Sequence, residues 1–191
     1  MARPPRIVAA DAIYHLTCRG VRKLPIYHAD RDRALFLALL REALRRFEWK
    51  CQAYCLMDNH YHVVAQTDEP TLSVGMHWLN TAYARTFNRR HGFEGHLFDR
   101  RFSSKLIESS AQLMLTARYV ELNPLRAGLV RDPGEHAWSS FRFHAGRARS
   151  SLLAGSWLLD LFGSDRAKAA RAYAEFVMDG AREYLTRVGD S

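Results

Sequence analysis

The sequence predicts an α+β fold of the ferredoxin-like, split βαβ kind: an antiparallel sheet with packed helices, followed by a C-terminal helical extension. Apolar residues alternate in four short segments and recur at helical spacing in the longer segments between them, and these patterns succeed one another as β-α-β-β-α-β-α. With 191 residues and 48% hydrophobic content, the chain can build one core of ordinary size.

"DAIYHLTCRG" alternates apolar and polar residues up to Gly20 and reads as a strand from about Ala12 to Cys18. "DRDRALFLALLREALRRF" begins acidic, ends basic and carries Leu35, Leu39, Leu40 and Ala43 at helical spacing. "WKCQAYCLM" and "HYHVVAQT" are two strands joined at the turn-forming Asp58 and Asn59, with Trp49, Cys51, Ala53 and Cys55 expected on one side. "TLSVGMHWLNTAYARTFNRRHG" is a second helix closed by Gly92, and "FSSKLIES" a short fourth strand. "SAQLMLTARYVEL" is a third helix, expected to stop at Asn123 and Pro124 because the residue before proline is pushed out of helical backbone. "WSSFRFHAGRARSS" reads as a basic loop and "DRAKAARAYAEFVMDGAREYLTRV" as a terminal helix with an alanine-rich face. A boundary near Ala145 separates a domain over 1–145 from an extension over 146–191.

The 28 Lys and Arg against 20 Asp and Glu give a formal charge of +8, which calls for a polyanionic partner, either nucleic acid or an acidic membrane surface. No run approaches the roughly 18 apolar residues of a membrane span, and "MARPPRIVAAD" lacks the apolar stretch of a secretory signal, so a cytoplasmic protein without membrane attachment is expected. Three cysteines, Cys18, Cys51 and Cys55, are then reduced thiols rather than a disulfide framework.

The stretch "CLMDNHYHVV" places two histidines inside a strand. Successive side chains of a strand point to opposite faces, so His60 and His62 share one face and Tyr61 and Val63 the other. Two imidazoles about 6 to 7 Å apart along a strand can converge on one divalent cation. His-x-His pairs also arise by chance, which leaves structural histidines as a second reading. A zinc knot of Cys51, Cys55, His60 and His62 is a third, against which the cysteines fall on a core-like face. In "TARYVELNPLRAGLV", Tyr119 and Asn123 lie four apart and so stack on one helix face, where phenol and amide oxygen can reach a common cation or phosphate. Amide oxygens suit Mg²⁺ or Mn²⁺. Alternatively, Tyr119 belongs to an apolar stripe with Leu115 and Leu122, and Asn123 only caps the helix.

"MDNHYHVV" followed by "RYVELNPLRAGLV", together with "YHLTCRGVRKLPIY", "NRRHGFEGHLFDRRFSS" and "WSSFRFH", resembles the HUH single-tyrosine transposases, above all the REP-associated tyrosine transposases of bacteria. The likeness spans roughly residues 6 to 145. It implies that His60 and His62 bind a divalent cation, Mg²⁺ or Mn²⁺, that Asn123 is the third ligand, and that Tyr119 is the nucleophile. It further implies cleavage of single-stranded or hairpin DNA through a 5′-phosphotyrosine, with REP palindromes as the type of substrate. Tyr61, a substitute nucleophile by residue type, points away from the histidine face.

Single-strand binding needs cations that track phosphates and aromatic platforms. Arg85, Arg89, Arg90, Arg100, Arg101 and Lys105 supply the first, interleaved with Phe87, Phe93, Phe98 and Phe102, although a core of phenylalanines with a solvated basic rim fits the same pattern. Arg19, Arg22 and Lys23 form a second basic patch, Arg118 and Arg126 flank the tyrosine, and Arg3 and Arg6 form a basic arm. Two other functions stay open: a sequence-specific DNA-binding protein of the same fold without cleavage, and a metal nuclease using water. A monomer is expected, with a helix-exchanging homodimer as the alternative.

Overall fold

The computed structural model describes residues 11–189; the basic arm with Arg3 and Arg6 lies outside the described residues. Strands β1 (Ala12–Arg19), β2 (Trp49–Met57), β3 (His60–Thr67) and β4 (Ser103–Ile107) form one sheet in the order β2-β3-β1-β4. Every neighbouring pair is antiparallel. This is the strand order of the split βαβ pattern, with β1 and β3 in the centre.

Helices α1 (Asp30–Arg46) and α2 (Leu72–His91) cover one face, where Tyr14, Leu16, Tyr61 and Val63 meet Phe36, Leu40 and Tyr83. Helices α3 (Ser110–Arg126), α4 (Phe141–His144) and α5 (Arg166–Gly189) cover the other. There Val64, Ala117 and Val120 share a core with Ala169, Tyr173 and Val177 of α5. The alanine-rich face of the terminal helix is thus packed onto α3.

Three expectations are corrected. Trp49, Cys51, Ala53 and Cys55 do not share a face: a bulge between Cys51 and Ala53 adds one residue, which reverses the pleat. Trp49 and Cys51 consequently join the α1/α2 core with Tyr54 and Leu56, while Ala53, Cys55 and Met57 join the α3/α5 core. The extra residue, Gln52, is buried, and its Oε1 accepts from Ser156 Oγ at 3.2 Å and the Trp157 backbone N–H at 3.1 Å. Second, α3 does not stop before Pro124 but continues to Arg126. Proline cannot donate to the carbonyl of Val120. The Asn123 side-chain amide fills in, donating to the Tyr119 carbonyl at 2.7 Å and the Val120 carbonyl at 3.5 Å, and Pro124 itself is buried. Third, the basic loop contains the short helix α4, with Phe141 and His144 buried.

Glu121 of α3 organises this layer. Fully buried, its carboxylate accepts from Tyr173 Oη at 2.8 Å, pairs with His144 Nδ1 at 2.7 Å and accepts from Ser140 Oγ. One carboxylate therefore ties together α3, α4 and α5. Removing it leaves buried donors without an acceptor, so Glu121→Ala is expected to lower the unfolding free energy by about 3–5 kcal/mol, measured by urea denaturation.

Candidate active site

The β1/β3 register sets Thr17 opposite His62 and Arg19 opposite His60. Because side chains alternate, His15, Thr17 and Arg19 of β1 and His60 and His62 of β3 share the face turned towards α3. Ser103 and Lys105 of β4 continue it and Tyr119 of α3 closes it; with His15, Thr17 and His62 they line a cavity of about 530 Å³, while His60 and Arg19 line the cavity next to it. The Tyr119 ring lies 5.9 Å from the His62 ring and 6.1 Å from that of His15, edge-on to both. Tyr119 and Leu115 are 41% and 51% exposed, so neither belongs to an apolar core stripe, whereas Leu122 is buried.

The His60 and His62 rings lie 4.9 Å apart. Asn59 donates its Nδ2 to the Lys23 carbonyl at 3.0 Å, which turns its Oδ1 towards His60 Nδ1 at 2.7 Å. His60 must donate from Nδ1, and its Nε2 keeps a lone pair. His62 Nδ1 lies 2.8 Å from His15 Nε2, while its Nε2 is buried and has no partner among the described residues. A buried, unpartnered imidazole nitrogen beside a second imidazole fits a divalent cation ligated through Nε2.

Burial and the charge of Lys105 push His15 down to about 4, and burial and Arg19 push His60 down to about 4. Burial, with its two histidine neighbours, holds His62 well below the ordinary imidazole value. Neutral rings are the form that binds metals.

Asn123 lies one turn beyond Tyr119; with its nitrogen tied to the helix backbone, its oxygen is the atom left to offer a cation. The zinc knot fails on geometry, because Cys51 is on the opposite face of the sheet from Cys55 and the histidines. Among the described residues no group of three or more His, Cys, Asp or Glu side chains is placed to hold a metal ion. Tyr61 is buried on the far face and donates to Asn80 Oδ1 at 2.7 Å, so it is remote from the cavity.

The basic candidates divide. Lys105 lines the main cavity; Arg19, Arg100 and Arg101 line an adjoining one of about 330 Å³ that shares Thr17, His62 and Ser103 with it. That cavity in turn shares Asp99, Arg100 and Arg101 with a groove of about 740 Å³ along α2, bordered by Arg85. Arg22, Lys23 and Arg89 are exposed. Arg126 stacks on the Tyr119 ring at 5.2 Å and on Tyr184 of α5 at 5.0 Å. Two arginines instead serve the fold. Arg90 pairs with buried Asp32 at 2.7 Å, and Arg118 lies over Phe176 at 4.5 Å in the space left by Gly180. Of the four phenylalanines, Phe87 and Phe102 are core, Phe98 is partly covered, and Phe93 is 49% exposed. The aromatic platform thus reduces to two rings.

Residues 9–123 match the family described as IS200-like transposases. The chain belongs to this family. Its general chemistry is therefore that of a transposase, the cutting and joining of DNA strands. The fold is similar to a REP-associated tyrosine transposase bound to a REP hairpin, with a TM-score of 0.66 at 14% identity over 83% of this chain and 93% of that one. A weaker likeness, with a TM-score of 0.44 at 15% identity over 63% of this chain and 96% of the other, is to a protein of Deinococcus radiodurans R1 described as a transposase. No curated protein matches the chain. No helix among the described residues is long and apolar enough to cross a membrane.

His15 is the cavity residue that the sequence motifs did not single out. Its signal was the alternation of "YHLTCR", which sets a histidine on the same side as Thr17 and Arg19, but only strand pairing brings that side to His62.

The depressed imidazoles set a pH dependence. Free histidine titrates near 6.5 and the folded His15 and His60 near 4, so between these values the unfolded chain binds more protons. Stability is fully present above about pH 6.5 and falls as pH drops towards about 4. The urea midpoint is expected to be lower at pH 5 than at pH 7.5; a midpoint that holds or rises would contradict the assignment.

Proposed function

We propose that this transposase cuts and rejoins single-stranded or hairpin DNA through a covalent 5′-phosphotyrosine on Tyr119, with Mg²⁺ or Mn²⁺ held by His60, His62 and Asn123. The observation that carries this is the buried, unpartnered Nε2 of His62, which shares its cavity with an exposed phenol whose ring is 5.9 Å away. The bound cation would supply Lewis acidity to the nonbridging phosphate oxygens and a template for their position. Tyr119 supplies the attacking oxygen: its O–H proton leaves as the oxygen bonds to phosphorus, and the P–O3′ bond breaks to a 3′ hydroxyl. Arg126, stacked on the same ring, offsets charge as the phenolate develops.

Lys105, Arg19, Arg100, Arg101 and Arg85 line the path along which the strand would run, and the exposed Arg22, Lys23 and Arg89 are further cations we assign to DNA contact. The solved REP-associated relative holds a REP hairpin, and a hairpin of that kind is the substrate we assign here. Tyr119 faces the histidines of its own chain on a helix braced by α5, which supports a monomer acting in cis, with the chemistry carried within residues 1–145 and the extension over 146–189 supporting it.

With a suicide hairpin substrate and Mn²⁺, wild-type protein is expected to give an SDS-stable adduct that Tyr119→Phe abolishes without loss of DNA binding, and that His60→Ala reduces at least about 100-fold. Tight binding with no adduct would identify a DNA-binding protein without cleavage, and cleavage that survives Tyr119→Phe would identify a water-using nuclease. With about five phosphates neutralised on a single strand, affinity is expected to fall with a log-log salt slope near −3.5. A salt-insensitive complex would contradict the basic path.

A further inference from the structure

We propose that His15 is a positioning residue: its Nε2 accepts the Nδ1 proton of His62 and thereby fixes His62 in the one tautomer whose Nε2 lone pair faces the cavity. Its role rests on the cation reading of the site proposed above.

The contact is short, 2.8 Å between His15 Nε2 and His62 Nδ1, and the rings are inclined by only 20°, so one proton must lie between the two nitrogens. It can belong to either ring. If it belonged to His15, neutral His62 would carry its own proton on Nε2, burying an N–H donor that has no acceptor among the described residues. That arrangement strands a buried N–H donor and also blocks the nitrogen as a ligand. If the proton belongs to His62, its Nε2 is a bare lone pair. His15 then carries its remaining proton on Nδ1, in a ring that lines the cavity and is only partly buried, where water can accept it.

The neighbouring ligand follows the same logic by a different route. Asn59, its amide oriented by the Lys23 carbonyl, accepts from His60 Nδ1 and leaves Nε2 free. Two histidines on one strand are thus set to the same tautomer by two unrelated partners, an amide from the β2–β3 turn and an imidazole from β1. Outer partners of this kind orient metal-binding imidazoles and raise their basicity. The arrangement also bears on proton transfer. A His15 protonated on Nδ1 and accepting on Nε2 has no lone pair left for the Tyr119 proton, so it does not act as the general base despite its ring lying 6.1 Å from that of Tyr119.

Two measurements test the assignment. In ¹⁵N-imidazole-labelled, metal-free wild-type protein at pH 7.5, long-range ¹H–¹⁵N correlation is expected to find His62 protonated on Nδ1 and bare on Nε2. The opposite pattern overturns the proposal while leaving the cation site standing. Mn²⁺ affinity, read by electron paramagnetic resonance of the free ion, is expected to weaken about 10- to 100-fold in His15→Phe. His15→Gln, whose amide oxygen can accept from His62, is expected to restore it to within a few-fold; equal affinity in wild type and His15→Phe overturns the proposal. Should His15→Phe fail to fold, the Gln variant and the wild-type spectrum still decide. A wild type that shows the expected tautomer but binds no Mn²⁺ would instead refute the proposed cation chemistry.

Discussion

The site depends on one geometric constraint, the pleat of two antiparallel strands held in register. Because β1 and β3 are paired with Thr17 opposite His62 and Arg19 opposite His60, every second residue of each strand faces α3. The intervening residues, Leu16, Cys18, Tyr61 and Val63, are buried beneath α1 and α2. A slip by one residue would bury the imidazoles and expose that core, so the free energy of the α1/α2 face protects the placement of the polar side chains opposite. The polar set is left to line the cavities because its alternate neighbours hold the fold.

The second half of the site is brought by α3, and its position is decided by groups outside the cavity. Glu121, two residues from Tyr119, is locked by Ser140, His144 and Tyr173, so the C-terminal helix fixes the height and rotation of the helix that carries the phenol. Asn123 bridges the carbonyl gap that Pro124 opens, and the helix survives long enough for Arg126 to reach back over the Tyr119 ring. Tyr184 of α5 stacks on the same arginine and donates to its carbonyl at 3.1 Å. Residues 146–189 therefore brace the helix that carries Tyr119.

Charge is distributed with the same division of labour. A net +8 is a property of the whole chain, but only some of the cations line the connected cavities from Lys105 to Arg85. Arg90 neutralises the buried carboxylate at the start of α1, and Arg118 is threaded across Gly180 onto an aromatic ring. An arginine count along a segment overstates the phosphate-facing surface because a guanidinium also serves as a strut whose stem packs and whose head pairs.

Several features were legible in the residues alone, because they depend on local periodicity. The order of strands and helices, the common face of His60 and His62, and the exclusion of Tyr61 from it all follow from a period of two or 3.6. The stacking of Tyr119 over Asn123 was equally local. What the sequence could not decide are matters settled by partners distant along the chain. The bulge at Gln52 is held by bonds from Ser156 and the Trp157 backbone to its side-chain oxygen, more than a hundred residues away. The helix crosses Pro124 because a buried environment and one amide compensate for the lost hydrogen bond. His15 joins His62 only through strand pairing. Periodicity tells which side of an element a residue occupies; which other side chain waits there is fixed by tertiary packing, because the energies of burial and hydrogen bonding are collected between elements rather than along them.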